Sequence, residues 1–398
     1  MRPLIARQPI FDPDEKVYAY EMVASESLET ILRDMDGGNG GAELVGRTQG
    51  PGHGSRKVFL EVTAEQLGAD WLGSLPAARV VLQVSHAAEM TPDLMAGCQA
   101  VRESGFTLAL GDFILEDGFS QLAPLVDILR IDFEQASQSH QRMAPIWSQT
   151  RKAQALAYNV PSKAAFTLAK NIGYSYFHGP FAYQAEFVDK TDVPGFKLNY
   201  LRLLQEINSP DMEFDKLEEV IKQDVSLTFK LLKYINSAAF GLRSEIESIH
   251  QALTLMGTRE VRKWSTLVTM TSMGEDLPEE ALVACVLRGR FLETLGVEMG
   301  QEERKDDLFF MGIFSMIELF MGRPKEEILG DLPLRPDIRA ALLGEEGTFN
   351  TLLNMVLAYE DGDWDPLHNY VRDLGLPGDE VPDLYFDALD WTEKIFME

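Results

Sequence analysis

Cysteine and long apolar runs are scarce in this sequence of 398 residues, and each shortage excludes a class of protein. The two cysteines, Cys98 and Cys285, stand far apart and form no ligand spacing, which favours a reducing compartment. No stretch approaches the ~20 consecutive apolar residues that a membrane helix needs. The opening, MRPLIARQPIF, is too short an apolar run for a signal peptide. The sequence therefore predicts a cytoplasmic protein that has no membrane partner.

Basic residues are also in short supply. The chain holds 36 Lys and Arg against 63 Asp and Glu, which gives a net charge of −27. Residues 1–192 hold 16 against 24 (−8), and the remainder holds 20 against 39 (−19). Because nucleic acid is bound by basic patches that release counterions, we expect no nucleic-acid partner. The acidity has two interpretations, solubility or attraction to a partner that has a basic surface.

Apolar residues make up 45% of the chain, which is enough for two hydrophobic cores, and the length favours two domains. The boundary is expected at Asp189–Phe196 (DKTDVPGF), whose Asp, Thr, Pro and Gly residues suit a linker. We therefore predict one domain over residues 1–190 and a second domain over residues 191–398.

Short apolar runs that alternate with helical patterns fill the first domain. Leu4–Ala6 and Val17–Met22 predict a hairpin with a turn at residues 12–14. Near-continuous apolar strands that alternate with helices indicate a parallel α/β sheet or barrel. The strands predicted after the hairpin are Val58–Val62, Val80–Val84, Phe106–Phe113, Ile128–Asp132 and Ala153–Tyr158, with Tyr174–Phe177 as a further candidate.

The second domain carries helical patterns with clear stop signals. Asp224 stands where a helix N-cap belongs, and Gly257 can end a helix in the left-handed conformation. Short helices with glycine corners predict a globular all-helical domain. The apolar face of its central helix is formed by Leu227, Leu231 and Ile235 and is widened by Phe229.

Residues 358–398 combine acidic with aromatic side chains, whereas disordered tails are poor in aromatic residues. We therefore predict a packed terminal helix. It has two alternative docking sites, its own domain or a partner protein for which its aromatic residues would be anchors. Its predicted apolar face is Leu384, Ala388, Trp391 and Ile395.

The opening ARQPIFDPDEKVYAYEMV, followed by FTLALGDF, VDILRID and GYSYFHGPF, resembles EAL domains, the cyclic-di-GMP phosphodiesterases. It is most similar to the shortened form that precedes HDOD domains, and the resemblance covers residues 1–185. It implies an α/β fold, an incomplete or modified (β/α) barrel. A (β/α)₈ barrel typically needs ~250 residues, so we expect missing outer helices between Met22 and Val58.

The resemblance also implies where an active site would be. An EAL enzyme holds two divalent cations with several carboxylates and an asparagine, and the cations activate the attacking water. Glu21 matches the signature glutamate, and Asp112 and Asp132 match further acidic positions, but the signature arginine position is Ser25. The other positions at which functional residues are replaced carry Glu61, Gln83, Gly111, Arg130, Tyr158, Pro161 and His178.

These replacements remove too many oxygen ligands for hard cations, so we predict no catalytic residue, no metal and no cofactor in the barrel. Glu21, Asp112 and Asp132 are the candidate ligand-binding remnants. Binding of cyclic-di-GMP is not expected, because the arginine that would hold its phosphate is replaced by Ser25. Structural hydrogen bonds at strand ends are the alternative role for Glu21 and Asp132.

IKQDVSLTFKLL, YINSAAF and IHQALTLMG resemble HDOD domains. The resemblance implies an all-helical fold related to HD phosphohydrolases but without their metal site. His250 and His368 are the histidines of this half, and neither is followed by aspartate. Where an HD enzyme carries its His–Asp doublet, the chain has Ser315 and Met316. No metal is therefore expected here, and His250 is predicted to be a surface or hydrogen-bonded histidine.

Together these observations predict a non-enzymatic regulator or scaffold that acts through protein–protein contacts in a bacterial signalling pathway. A homodimer is a further option. One alternative function is a receptor that binds cyclic-di-GMP or another nucleotide without hydrolysing it. A second alternative is a weak metal-dependent cyclic-di-GMP phosphodiesterase.

Overall fold

The computed structural model describes residues 2–34, 40–49, 56–84, 91–111, 120–187, 194–209, 212–222, 225–236, 246 and 248–397. The predicted cap Asp224, the candidate ligand Asp112 and most of the predicted linker lie outside these residues. Contacts divide the chain into two compact units. The first unit comprises residues 1–184, 290–305 and 351–398, and the second comprises 185–289 and 306–350.

The strands of the first unit form a closed eight-stranded barrel in the order of the chain. Neighbouring strands are parallel, except that β1 is antiparallel to both β2 and β8. The predicted barrel is thus confirmed in its modified form, and its sheet is complete. The expectation that outer helices are missing between Met22 and Val58 was wrong, because helices at Leu28–Asp34 and Gly40–Gln49 lie there. The reduction lies instead between Val62 and Val80, where the chain forms only short 3₁₀ turns. The strands are β1 (Ile5–Phe11), β2 (Val17–Ala24), β3 (Lys57–Val62), β4 (Val80–Val84), β5 (Thr107–Leu110), β6 (Ile128–Asp132), β7 (Gln154–Tyr158) and β8 (Tyr176–His178).

The antiparallel start of the barrel follows from the turn between β1 and β2. The Asp12 carboxylate accepts hydrogen bonds from the backbone N–H groups of Asp14 (2.8 Å) and Lys16 (2.9 Å). Glu15 takes a left-handed φ of 60°. Asp side chains favour such turns because they can satisfy backbone N–H groups two residues further along. The predicted hairpin is therefore confirmed, and it reverses the chain before the parallel strands begin.

Large side chains fill the inside of the barrel. One residue from most strands joins a single buried cluster, and three tyrosines pack against it. Two of these tyrosines, Tyr18 and Tyr176, stack with ring centroids 3.9 Å apart. Burial raises the pKa of the Tyr18 phenol, and its hydrogen bond with Tyr176 adds to this rise. The cluster consists of Ile10, Ala19, Phe59, Val81, Ala109, Ile128 and Leu156.

Helices follow the strands of the barrel and make up the rest of the described chain. Serine or threonine caps several of them, as Ser162 does by accepting the N–H of Ala165 (3.2 Å). No helix within the described ranges has both the length and the apolar character needed to cross a membrane. The helices are α1 (Leu28–Asp34), α2 (Gly40–Gln49), α3 (Pro92–Glu103), α4 (Gln138–Arg151), α5 (Lys163–Ile172), α6 (Gly195–Asn208), α7 (Phe214–Lys222), α8 (Val225–Ile235), α9 (Ile249–Met273), α10 (Glu279–Glu298), α11 (Lys305–Phe314), α12 (Ile317–Met321), α13 (Lys325–Asp331), α14 (Pro336–Leu342), α15 (Thr348–Asp361), α16 (Trp364–Asp373) and α17 (Val381–Met397).

The helical second unit matches the sequence pattern with one exception. Leu227, Leu231 and Ile235 are buried as predicted, whereas Phe229 is 67% exposed. A helix turns about 100° per residue, so Phe229 points about 200° away from Leu227, and its assignment to the apolar face was wrong. Gly257 breaks α9 with a φ of 73°, which confirms the predicted glycine corner.

The C-terminal segment packs on the barrel. The Tyr359 hydroxyl donates a hydrogen bond to the carbonyl of Ile5 (3.0 Å). A Cβ at Gly362 would lie 2.5 Å from Val23, so only glycine permits this approach. The terminal helices thus dock on the barrel, which differs from both predicted docking sites, the helical domain and a partner protein. The division into compact units likewise assigns this segment to the barrel unit. The domain boundary between residues 190 and 191 remains a prediction.

The buried face of α17 differs from the predicted face. Leu384, Trp391 and Ile395 are only half-buried. The buried face is shifted around the helix from the predicted one, because it includes two polar residues, Thr392 and Glu393. A pattern of apolar residues cannot indicate the burial of polar ones. Its fully buried side chains are Val381, Tyr385, Phe386, Ala388, Leu389, Thr392 and Glu393.

A buried ion pair fixes this docking. Arg7 Nη2 of β1 lies 2.7 Å from Glu393 Oε1, and the two side chains are only 3% and 1% exposed. The same guanidinium donates to the carbonyls of Thr48 (3.4 Å) and Gln49 (3.2 Å). It also stands over the Tyr20 ring, 4.0 Å from the centroid. Removing one member of such a pair leaves an unpaired buried charge.

We expect Glu393→Gln to lower the free energy of unfolding by about 3 kcal/mol, because Arg7 would then be buried without a counter-charge. The double variant Arg7→Met/Glu393→Met should lose less than the sum of the losses in Arg7→Met and Glu393→Met. Urea unfolding followed by circular dichroism measures all four variants. Additive losses would contradict the pairing. The exposed pair Arg33 and Glu29 is the control, and Glu29→Gln should change stability by under ~1 kcal/mol.

Candidate functional site

The mouth of the barrel lies two residues beyond its buried cluster on most strands. Since side chains alternate along a strand, residues two positions on point into the same interior. The strands β2, β3 and β4 present Glu21, Glu61 and Gln83 in this way. The remaining strands present Gln8, Gly111, Arg130, Tyr158 and His178. Six of the positions that the sequence marked as replaced are therefore brought together with Glu21 in one layer. Ser25 and Pro161 lie outside it, and the Ser25 hydroxyl accepts a hydrogen bond from the Leu4 N–H (2.9 Å).

Arg130 is the central residue of this layer. Its Nη2 lies 3.3 Å from Glu21 Oε1, and both side chains are largely buried. Its guanidinium carbon stands 3.4 Å from the centroid of the Tyr158 ring. A flat guanidinium can pair with a carboxylate at its edge while its face rests on an aromatic ring. Glu21 thus has a positive partner from its own chain.

Behind Tyr158 lies His178. The two rings are parallel within 7°, with centroids 4.5 Å apart. His178 is 5% exposed, and its Nε2 lies 3.7 Å from Glu21 Oε2. Arg130, Tyr158 and His178 therefore form one stack, which we call the mouth stack, with Glu21 along its edge.

Hydrogen bonds determine the tautomer of His178. The Gln8 amide donates to the carbonyl of Glu360 (3.1 Å), so its Oε1 is the atom that faces His178. Because Gln8 Oε1 is an acceptor 3.0 Å from Nε2, the imidazole proton is assigned to Nε2. Nδ1 is buried and has no hydrogen-bond partner in the described part of the chain. A neutral ring fits these contacts.

The environment of His178 opposes its protonation. The pKa of His178 is lowered to about 4, mainly by burial, while Glu21 partly opposes this shift and Arg130 adds to it. The ring is therefore neutral near pH 7, and the stack carries a single positive charge, that of Arg130.

Glu61 lies beside this stack. Desolvation by the surrounding protein raises the pKa of Glu61, Arg130 opposes the rise, and Glu21 adds to it. Glu21 is paired with Arg130, whereas Glu61 is exposed at the opening of the mouth. The two carboxylates thus have different surroundings within one layer.

Both carboxylate oxygens of Asp132, at the end of β6, accept hydrogen bonds from the chain. Its Oδ1 accepts hydrogen bonds from the backbone N–H groups of Glu134 (3.1 Å) and Gln135 (3.0 Å). Its Oδ2 accepts from the Asn159 amide (2.9 Å), and Asn159 has a left-handed φ of 53°. These bonds hold two loops in place, which is the structural role considered from the sequence. Of the three candidate ligand residues, Glu21 and Asp132 are seen here, and Asp112 lies outside the described residues.

A second group of polar side chains lies in the helical unit. His250 Nδ1 stands 3.4 Å from Asp215 Oδ1 and 3.2 Å from Glu218 Oε2, a set that could hold a metal ion. Glu218 also pairs with Lys222 (2.5 Å), which lowers the pKa of Glu218. The positive ends of α7 and α9 oppose a cation at this point, since Asp215 and His250 lie in their first turns. These contacts place His250 on the surface beside two carboxylates, as predicted from the sequence.

Comparison with known proteins places the helical half in a family. A family model described as HDOD domain matches residues 193–318. This segment is therefore an HDOD domain, as the sequence resemblance implied. It follows the closed barrel in the chain.

Two relatives match nearly the whole chain. It is 27% identical to "Uncharacterized protein YuxH" of Bacillus subtilis, over 99% of each chain. It is 23% identical to "Cyclic di-GMP phosphodiesterase CdgJ" of Vibrio cholerae, over 98% of this chain and 92% of the relative. The barrel-plus-HDOD architecture is therefore related to a protein named for cyclic-di-GMP hydrolysis.

Among solved structures, an EAL domain protein from Listeria monocytogenes matches 45% of this chain and 87% of its own, with 13% identity and a TM-score of 0.37. The barrel fold itself rests on its strand pairing.

Replacing His178 should change how stability depends on pH. The folded pKa of about 4 lies below the usual value near 6.5, so the unfolded chain binds more protons between these two values. Stability is thus fully present above pH 6.5 and falls towards pH 4, by up to about 3 kcal/mol. His178→Gln should remove this contribution. Urea unfolding at pH 7.5, 6, 5 and 4.5 measures it.

The matched control is His140→Gln, which alters an exposed histidine on α4. This variant should keep the pH dependence of the parent protein. An equally steep loss of stability in His178→Gln and in the parent would contradict the neutral, buried state of His178.

Proposed function

We propose that the protein is a non-enzymatic signalling regulator whose HDOD domain binds a protein partner and whose barrel is a closed support. The observation that carries this proposal is the placement of Arg130. Its guanidinium lies 3.3 Å from Glu21 and rests on Tyr158, so the mouth already contains the positive charge that its buried carboxylate requires. A catalytic pair of divalent cations would have to displace it.

The surface of the HDOD domain supports a role in binding proteins. Phe229 on α8 is 67% exposed and Leu255 on α9 is 52% exposed, although these two helices pack against each other. Large exposed aromatic side chains are typical anchors of protein interfaces, since they bury much apolar area when a partner covers them. The net charge of −27 favours a partner that has a basic rim.

A receptor for cyclic-di-GMP is the second candidate function, and Arg130 is the residue that favours it, because its cation could pair with a phosphate. We expect no binding in the micromolar range, since Arg130 is engaged by Glu21 and Tyr158. Isothermal titration calorimetry of the full chain with cyclic-di-GMP measures this. Micromolar binding that Arg130→Gln abolishes would instead support the receptor.

The protein contact is tested at Phe229. Tagged parent protein expressed in the native bacterium should retain a partner at constant stoichiometry, identified by quantitative mass spectrometry. Phe229→Ser should reduce its recovery at least tenfold, because truncating a central aromatic anchor costs about 2 kcal/mol or more of binding free energy. Circular dichroism checks that the variant is folded.

Met143→Ser is the matched control, since Met143 is 52% exposed on α4 of the barrel unit. Its partner recovery should equal that of the parent protein. Recovery that is unchanged in Phe229→Ser would overturn the proposed contact surface, and failure to retain any partner would overturn the scaffold role.

A further inference from the structure

A small cavity in the helical unit has a composition unlike that of its surroundings. It encloses about 230 Å³ between the end of α6, the middle of α9, the start of α11 and the segment that leads into α14. The residues that matter to its chemistry are Asn208, Arg262, Asp307, Phe310, Arg335 and Ile338.

Two arginines give the cavity its charge. Arg262 and Arg335 both line the cavity. They stand out because residues 193–398 hold only 20 basic residues against 39 acidic residues. Asp307 is the acidic residue of the lining, and its carboxylate lies 3.2 Å from Arg335 Nε. The lining thus keeps a net charge of +1 within an acidic domain. A local positive charge of this kind attracts anions.

A hydrogen bond within the protein holds the guanidinium of Arg262 in place before any ligand binds. Its Nε donates to the carbonyl of Ile207 at 2.9 Å, which ties it to the end of α6. Its two terminal nitrogens have no partner among the described residues. The Arg335 side chain is 62% exposed, and its contact with Asp307 uses Nε and leaves the outer nitrogens. Arg262 can thus offer N–H donors at little cost in side-chain entropy, and Arg335 can turn its outer donors towards the same ligand.

The remaining walls are apolar. Phe310 is 4% exposed and Ile338 is 2% exposed, so both are fixed parts of the core. Asn208 is tied to its own helix by a hydrogen bond to the carbonyl of Leu204 (2.8 Å). The cavity therefore combines a rigid apolar floor with two cations, the usual composition of a small-ligand site.

We propose that this cavity binds a phosphate monoester through Arg262 and Arg335. Such a group presents three acceptor oxygens and nearly two negative charges, which matches two guanidinium forks better than a carboxylate does. The volume is below the roughly 300–1,000 Å³ of drug-sized pockets, so it suits a small carrier rather than a dinucleotide. The carrier is either a free small phosphate ester or a phosphorylated side chain. The inference concerns the helical unit and does not depend on the barrel.

Calorimetric titration of the full chain at constant ionic strength tests the proposal with four probes. They are inorganic phosphate, glycerol 3-phosphate, a short phosphoserine peptide and succinate. The phosphate compounds should bind saturably with submillimolar dissociation constants, and succinate should bind at least tenfold more weakly. Tighter binding of glycerol 3-phosphate identifies a free ester as the source, and tighter binding of the peptide identifies a phosphorylated side chain.

Three variants assign the binding to this cavity. Arg262→Gln and the more exposed Arg335→Gln should each weaken phosphate binding at least tenfold, and Arg262→Lys should give an intermediate loss because it keeps the charge but not the fork. Arg259→Gln, one turn away on α9, is the matched control and should bind like the parent protein. Absence of saturable binding, equal binding of succinate, or binding unchanged in both glutamine variants would overturn the proposal.

Discussion

Burying a carboxylate inside a barrel is costly unless a partner such as a cation stands beside it. Here that cation is supplied by the chain, since Arg130 lies 3.3 Å from Glu21. The guanidinium rests on Tyr158, and Tyr158 stacks on His178, which burial keeps neutral. Arg130 and Glu21 thus neutralise one another, whereas His178 Nδ1 and Gln83 Nε2 are buried without a hydrogen-bond partner among the described residues. The internal pairing of Glu21 is the physical basis for proposing a support rather than a catalytic centre.

The same constraint operates on the outside of β1. Because successive side chains alternate, Gln8 reaches His178 in the mouth while Arg7 meets Glu393 of α17. Gln8 also donates to the carbonyl of Glu360 on α15. One strand therefore connects the mouth stack with the terminal helices, whose Tyr359, Tyr385 and Phe291 rings cluster together. Covering by these helices explains how a short barrel can remain closed.

Periodicity predicted most of the fold, because apolar strands and helix faces follow from local spacing. Each predicted strand overlaps one strand of the barrel. The sequence also identified Arg130, Tyr158 and His178 as replaced positions, although not their contacts. The stack itself could not be predicted, since it depends on residues from three strands. The docking of α17 was equally hidden, because its orientation is fixed by the inward turn of the charged residue Glu393. Polar burial of this kind leaves no periodic signal.

Hydrolysis of cyclic-di-GMP by the full chain tests this account of the mouth most directly. The purified protein is incubated with cyclic-di-GMP and either Mg²⁺ or Mn²⁺, and the linear dinucleotide product is measured by chromatography. The account predicts no product above the background of the Glu21→Gln variant, because Arg130 occupies the carboxylate that a cation would need. Metal-dependent turnover by the parent protein that Glu21→Gln abolishes would contradict it.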